Sequence, residues 1–251
     1  MLMYLPTRFC FKVWGGIIGN IVWLHKRAMM SIWKGFLVIA IFTTAAFAEV
    51  RTERTDIFFV MDACKNMAEP GRFIKEGAHL AAYELNSRDK VAVLSFCAEN
   101  KILLNFAGDP ILIERALRKA SSGLLRASGK CRLYDAIFTA IQEFPANSAD
   151  KYYRAVAVIT NEPDRGSTHQ PQELIEAANS KNIALWFFLV GNPYAKPDLL
   201  DLYLRHRYPN VVQAEEQVRP LAAKTGGGTS VYDMNGYILR MAIAACKTNT
   251  K

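Results

Sequence analysis

Between residues 50 and 246 the chain alternates short apolar runs bounded by charges with segments of helical period. DIFFVMD, Asp56 to Asp62, reads as a buried strand. GRFIKEGAHLAAYELNS follows with apolar positions at Phe73, Ala78, Leu80, Ala81 and Leu85, the spacing of one helix face. KVAVLSF and KILLNF are separated only by Cys97 to Asn100, which predicts an antiparallel hairpin. ILIERALRKASSGLL and LYDAIFTAIQEF read as helices, RAVAVITN as a strand, QELIEAANSK as a helix and IALWFFLVG as a further strand. Strands as uniformly apolar as ALWFFLV are buried on both faces, as when helices cover each side of a mostly parallel sheet. The pattern predicts one doubly wound α/β domain, without internal repeats or an interdomain linker.

The C-terminal part is less regular. PYAKPDLLDLYLRHRYPNVVQ reads as an irregular or helical insertion. EEQVRPLAAK is a helix stopped by Gly226, Gly227 and Gly228, which suit a C-cap and turn rather than a phosphate cradle. TSVYDM supplies an edge strand and NGYILRMAIAACK a closing helix, with Ile238, Met241 and Ala245 expected toward the sheet. Trp186, Tyr203, Tyr208 and Met241 read as core or half-core positions, not as a cofactor box.

Composition changes the picture at the N-terminus. The chain has 251 residues and a formal charge of +8, with 31 basic and 23 acidic side chains. Arg8, Lys12, Lys26, Arg27 and Lys34 fall in residues 1–48, which hold no acidic residue, so five of those charges come from that segment. The remainder is an ordinary mixed surface without the concentrated basic face that phosphate contacts require, which speaks against a nucleic-acid partner. From Met29 or Met30 the sequence has a short head with Lys34, the apolar run GFLVIAIFTTAAFA, and small residues Ala46 and Ala48 ahead of Glu49. That is the form of a secretory signal peptide over residues 29–48. It predicts an exported chain, periplasmic or extracellular, beginning at Glu49, with residues 49–251 as a single domain and no stable membrane insertion after cleavage. Residues 1–28 read as an extra hydrophobic stretch or as sequence upstream of the true start. The alternative is an uncleaved membrane anchor, for which the apolar run is short.

In a doubly wound sheet, function gathers at the carboxyl ends of the strands. Three loops belong there: VMDACKNM after the first strand, GKCRLYDA before a helix, and ITNEPDRGS after RAVAVITN. With SRDKVAVLSF and the terminal AAKTGG, their order and spacing resemble the von Willebrand factor type A domain family, most closely its bacterial secreted branch. The resemblance is strongest over residues 54–235. It implies a mostly parallel six-stranded sheet with one antiparallel edge strand. It also implies a cation site in which oxygen ligands hold a divalent ion that captures an acidic group of a partner.

Carried over residue by residue, that resemblance puts Asp62 at the first aspartate of the site, Cys64 and Asn66 at its two serines, Cys131 at its threonine and Asn161 at its second aspartate. Asp135 and Asp164 match companion positions, and Glu162 or Asp164 is an accessory carboxylate available as a substitute ligand. Magnesium and calcium take hard oxygen donors. Here two hydroxyls have become sulfur and one carboxylate an amide, so Asp62, Asn66 and Asn161 are left as a weak or lost site and neither cation is expected as a cofactor. The same resemblance brings the loops of Cys64 and Cys131 side by side, with Cys97 ending the neighbouring strand. Three readings follow for this group: a Cys64–Cys131 disulfide in an oxidising compartment, inert thiols, or a zinc site of Asp62, Cys64 and Cys131 with or without Cys97. Cys10 lies in the targeting segment, and Cys246 is expected to be unpaired.

No catalytic residues are assigned. Cys64 or Cys131 would need activation to act as a nucleophile. His79 belongs to the first helix, His206 to a surface turn, and only His169 approaches the loop face. The sequence therefore reads as a non-enzymatic protein-binding module whose capture of an unidentified partner is independent of Mg²⁺. The alternatives are a domain with a modified divalent-metal site that binds an acidic partner group, and a purely structural envelope component.

Overall fold

The computed structural model describes residues 54–121, 129–145, 152–191, 209–232 and 237–248. Six strands form one sheet: β1 (Thr55–Asp62), β2 (Lys90–Phe96), β3 (Asn100–Ala107), β4 (Tyr153–Thr160), β5 (Ile183–Val190) and β6 (Gly228–Tyr232). Their order is β3-β2-β1-β4-β5-β6, and all neighbours are parallel except the β2–β3 hairpin. Among the described residues six α-helices flank it: α1 (Ala68–Tyr83), α2 (Pro110–Ser121), α3 (Leu133–Glu143), α4 (Pro171–Ser180), α5 (Pro209–Thr225) and α6 (Ile238–Thr248).

Alternate residues of each central strand enter opposite cores. Ile57, Phe59 and Met61 of β1 pack with Ile74 and Ala78 of α1, Leu117 of α2 and Leu239 of α6. Phe58 and Val60 face Ile137 of α3, Leu174 of α4 and Leu221 of α5. This two-sided burial is why β1, β4 and β5 carry no polar alternation. The predicted doubly wound architecture is therefore present, with helices on both faces.

Local chemistry fixes the helix ends. Pro171 opens α4, where Glu173 accepts a 2.7 Å hydrogen bond from the Gln170 backbone N–H. At the end of α5, Gly226 has φ 75° and Gly227 N–H reaches Ala222 O at 3.0 Å, a Schellman closure. Gly227 lies so close to β5 that a β-carbon would sit 1.9 Å from Leu185 O.

Three expectations change. Gly228 is not part of the turn but the first residue of β6, paired with Trp186. Met241 does not point at the sheet: it is 45% exposed, while Ile238, Leu239, Ala242 and Ile243 supply the buried face of α6. Leu80, expected on the core face of α1, is also exposed; Ala78, Ala81 and Ala82 take that face, so small residues set the close approach of the helix. Trp186 is buried as expected. Residues 1–48, Tyr203, His206 and Tyr208 lie outside the described residues.

Candidate functional site

The sheet order reverses between β1 and β4, and their carboxyl ends open the crevice where α/β folds place ligands. Asp62 closes β1 and Thr160 closes β4. Asp62 is almost fully buried and both its oxygens are engaged. Oδ1 accepts from the Cys64 N–H at 2.8 Å, and Oδ2 accepts from the Thr160 hydroxyl at 2.7 Å. Thr160 Oγ1 in turn accepts from the Glu162 N–H at 3.0 Å. Burial raises the Asp62 carboxyl to about 6, opposed by these hydrogen bonds and reinforced by the nearby Glu162 charge.

Sulfur occupies the space beside this carboxyl. Cys64 and Cys97 form a disulfide, with Cα atoms 5.1 Å apart, and Cys131 is a buried free thiol. The Cys64–Cys131 bond inferred from the family resemblance is thus replaced by Cys64–Cys97. The cause is strand pairing: β1 and β2 are direct parallel neighbours with Asp62 opposite Phe96, so Cys64 and Cys97 leave adjacent strand ends. The Ala63 N–H to Phe96 O bond, 2.8 Å, extends that register. Cys131 arrives from the loop before α3 and is held alongside by Arg132 N–H to Cys97 O at 3.1 Å. Reactive atoms of Asp62, Cys64 and Cys131 still lie within 4.8 Å of one another. Burial, reinforced by the charges of Asp62, Asp164 and Glu162, pushes the Cys131 thiol well above its ordinary pKa. Cys246 is a second buried free thiol, in α6.

The remaining site positions separate into two groups. Asn66 and Asn161 join the crevice. Asn66 donates its amide N–H to the Glu162 carboxylate, and Asn161 Nδ2 donates to Asn66 O at 3.0 Å. Asn161 Oδ1 is buried without a donor among the described residues. Glu162 is buried, and also accepts from Asn210 of α5 at 3.2 Å.

Asp135 and Asp164 instead build the wall. Asp164 accepts from Tyr134 N–H at 3.2 Å and from the Ser167 hydroxyl at 2.5 Å. Asp135 Oδ1 gathers Thr168 N–H at 2.9 Å, His169 N–H at 3.0 Å and His169 Nδ1 at 2.7 Å. Its Oδ2 pairs with Arg132 Nη2 at 2.7 Å. Burial works against this charge, but the bonds from His169 and Thr168 outweigh it and hold the carboxyl down at about 2. His169 is committed to Asp135 and stacks on Phe138 with ring centroids 3.9 Å apart.

The donors gathered here are the Asp62 and Glu162 carboxylates, one unpaired amide oxygen and two sulfurs, one of them in a disulfide, a set poorer in hard oxygen than magnesium or calcium takes. The rim carries four basic residues. Lys65 and Lys130 are exposed and have no ion-pair partner among the described residues, while Arg132 is paired with Asp135 and Arg165 with Glu162. Gly166 packs directly under Lys130 and Arg132, where a β-carbon would lie 2.8 Å from Lys130 Cβ.

Two residues of this site were not singled out in their present roles from the sequence. Cys97 is the disulfide partner, a pairing readable from the parallel register of DIFFVMD and KVAVLSF had those strands been set side by side. Thr160 carries no motif signal beyond being the last residue of β4.

No protein-family model matches the chain, and no curated protein does. Solved structures share its fold. BatB from Bacteroides thetaiotaomicron is 19% identical with a TM-score of 0.55, over 77% of this chain and 96% of that one. An aerotolerance-related membrane protein from Bacteroides fragilis is 18% identical with a TM-score of 0.56, over 76% and 98%. A von Willebrand factor type A protein from Catenulispora acidiphila is 15% identical with a TM-score of 0.52, over 77% and 43%.

Proposed function

We propose that this chain is an exported, non-enzymatic protein-binding module whose loop face holds an acidic segment of its partner by direct contact, without Mg²⁺ or Ca²⁺. The observation that carries this reading is the combination at the switch point of a sulfur-filled centre and a basic rim. Where the related fold would use an ion to meet a partner carboxylate, this chain offers the exposed charges of Lys65 and Lys130, with Arg132 and Arg165 paired to Asp135 and Glu162. Arg132 and Arg165 are steadied by Asp135 and by Asn210, the latter at 2.7 Å. A positioned guanidinium gives up less side-chain freedom when it meets a carboxylate.

The same geometry supports the non-enzymatic part of this reading. Cys64 is bonded, the Cys131 thiol is buried and held protonated, and His169 is turned to Asp135. None of these is an activated nucleophile with a base. Among the described residues no helix is long and apolar enough to cross a membrane, and the N-terminal apolar run lies outside them.

The test is a photo-crosslinking side chain at Lys65 in the native host. A discrete protein adduct that persists in EDTA and falls several-fold with Lys130→Glu supports the reading. An adduct abolished by EDTA and restored by Mg²⁺ favours a modified cation site, and no adduct from any rim position favours a structural component.

A further inference from the structure

Three cysteines and one aspartate meet at the switch point, and the partner-binding reading uses none of their metal chemistry. The reactive atoms of Asp62, Cys64 and Cys131 already lie within 4.8 Å of one another, all buried, and Cys97 Sγ is bonded to Cys64 Sγ. In a tetrahedral zinc site with Zn–S bonds of about 2.3 Å, neighbouring sulfurs stand about 3.8 Å apart. The atoms of Asp62, Cys64 and Cys131 thus need to draw in by about 1 Å at most, while the Cys64 and Cys97 sulfurs part from bonding distance to about 3.8 Å, both within the reach of side-chain rotation. The three segments are already tied together by Ala63 N–H to Phe96 O at 2.8 Å, Arg132 N–H to Cys97 O at 3.1 Å and Arg165 N–H to Cys131 O at 3.0 Å. None of those bonds has to break for the disulfide to open.

We propose that this cluster is a redox-gated site for a zinc-type ion, with Cys64, Cys97, Cys131 and Asp62 as its four ligands and the Cys64–Cys97 bond as its gate. Opening requires a dithiol reductant, which gives two electrons and two protons to the disulfide and leaves as a disulfide itself. The ion then displaces the thiol protons of Cys64, Cys97 and Cys131 to solvent, since thiolate is the ligand. Three sulfurs and one oxygen suit a borderline or soft ion and exclude the alkaline-earth ions. Lys65, Lys130 and Arg132 adjoin Cys64 and Cys131 in the chain and Arg165 N–H is bonded to Cys131 O, so basic residues border the negative charge that remains on the complex. With the disulfide closed, only Asp62 and Cys131 are left and the site is lost, so oxidation and metal binding exclude each other. This does not depend on the partner-binding reading.

Cobalt(II) is the probe, because thiolate ligation gives it an intense charge-transfer absorption and tetrahedral geometry gives strong visible bands. The full chain, reduced under anaerobic conditions, is expected to bind one equivalent of cobalt, to yield it to zinc, and to show a higher thermal midpoint with zinc. The oxidised chain should show none of these. Cys131→Ser should weaken binding at least tenfold and lower the charge-transfer intensity. Cys10→Ser and Cys246→Ser should leave both unchanged. The proposal is overturned by a reduced chain that shows no thiolate–cobalt absorption, by equal binding in the oxidised chain, or by Cys131→Ser binding like the parent. If reduction loosens the fold, the readout is the thermal midpoint and far-ultraviolet circular dichroism: zinc that fails to raise either in the reduced chain also overturns it.

Discussion

The Thr160 hydroxyl donates a 2.7 Å hydrogen bond to Asp62 Oδ2, joining the carboxyl ends of β4 and β1 at the point where the sheet reverses its order. The bond keeps a carboxyl in place that the surrounding core disfavours as a charge.

Asp62 therefore gives the fold a pH dependence of definite sign. Its folded-state pKa, about 6, lies above the ordinary 3.8, so the folded chain takes up the proton first as pH falls. Stability should rise as pH drops from about 6 toward about 4, and be lower by about 3 kcal/mol at most above pH 6. Asp62→Asn keeps an oxygen for the Cys64 N–H and should remove this pH dependence. Urea unfolding of both proteins at pH 7 and pH 4.5 checks it. A difference between them that does not change with pH contradicts it.

Asp135 acts in the opposite direction. Its carboxyl, held at about 2 by His169 and Thr168 against the opposing effect of burial, stabilises the fold above about pH 4. That contribution is lost as pH falls from about 4 to about 2. Asp135→Ala strands the Thr168 and His169 backbone donors and should cost about 1–3 kcal/mol at pH 7, measured by denaturant unfolding.

The doubly wound fold was legible because its central strands are uninterrupted apolar runs and its helices keep their period. The misplaced positions have local causes. Alanines, not leucines, face the sheet from α1, so Leu80 is exposed despite falling on the apparent apolar stripe. In α6, Ile238, Leu239, Ala242 and Ile243 already complete the buried face, leaving Met241 outside. The site was legible in its members but not in its pairing. A family resemblance aligns loops without deciding which of three neighbouring sulfurs bond, and that choice is made by the direct β1–β2 register.

Magnesium or calcium at about 1 mM should shift the thermal midpoint of the oxidised chain by less than about 1 °C. An ion at 100 times its Kd would add about 2.7 kcal/mol, worth several degrees for a domain of this size. The combined change Cys64→Ser, Asn66→Ser, Cys131→Thr and Asn161→Asp supplies hard oxygens at these positions and should create a measurable shift. Isothermal titration that finds a micromolar site in the parent chain, abolished by Asp62→Ala, would overturn this.

Export carries its own test, since the head, apolar run and Ala46–Ala48 spacing predict a mature start at Glu49. N-terminal sequencing of protein recovered from the host should read Glu-Val-Arg. A chain that keeps residues 30–47 indicates an anchor instead.

The sulfur-filled centre is tested most directly by peptide mapping of host-exported protein, alkylated without reduction before and after unfolding. The bond closes a sequence separation of 33 residues, so its loss should cost about 2–4 kcal/mol. The expected map contains one peptide linked through Cys64 and Cys97, with Cys131 and Cys246 alkylated only after unfolding. Cys64 and Cys97 recovered as separately alkylated peptides, or Cys64 linked to Cys131, would contradict it.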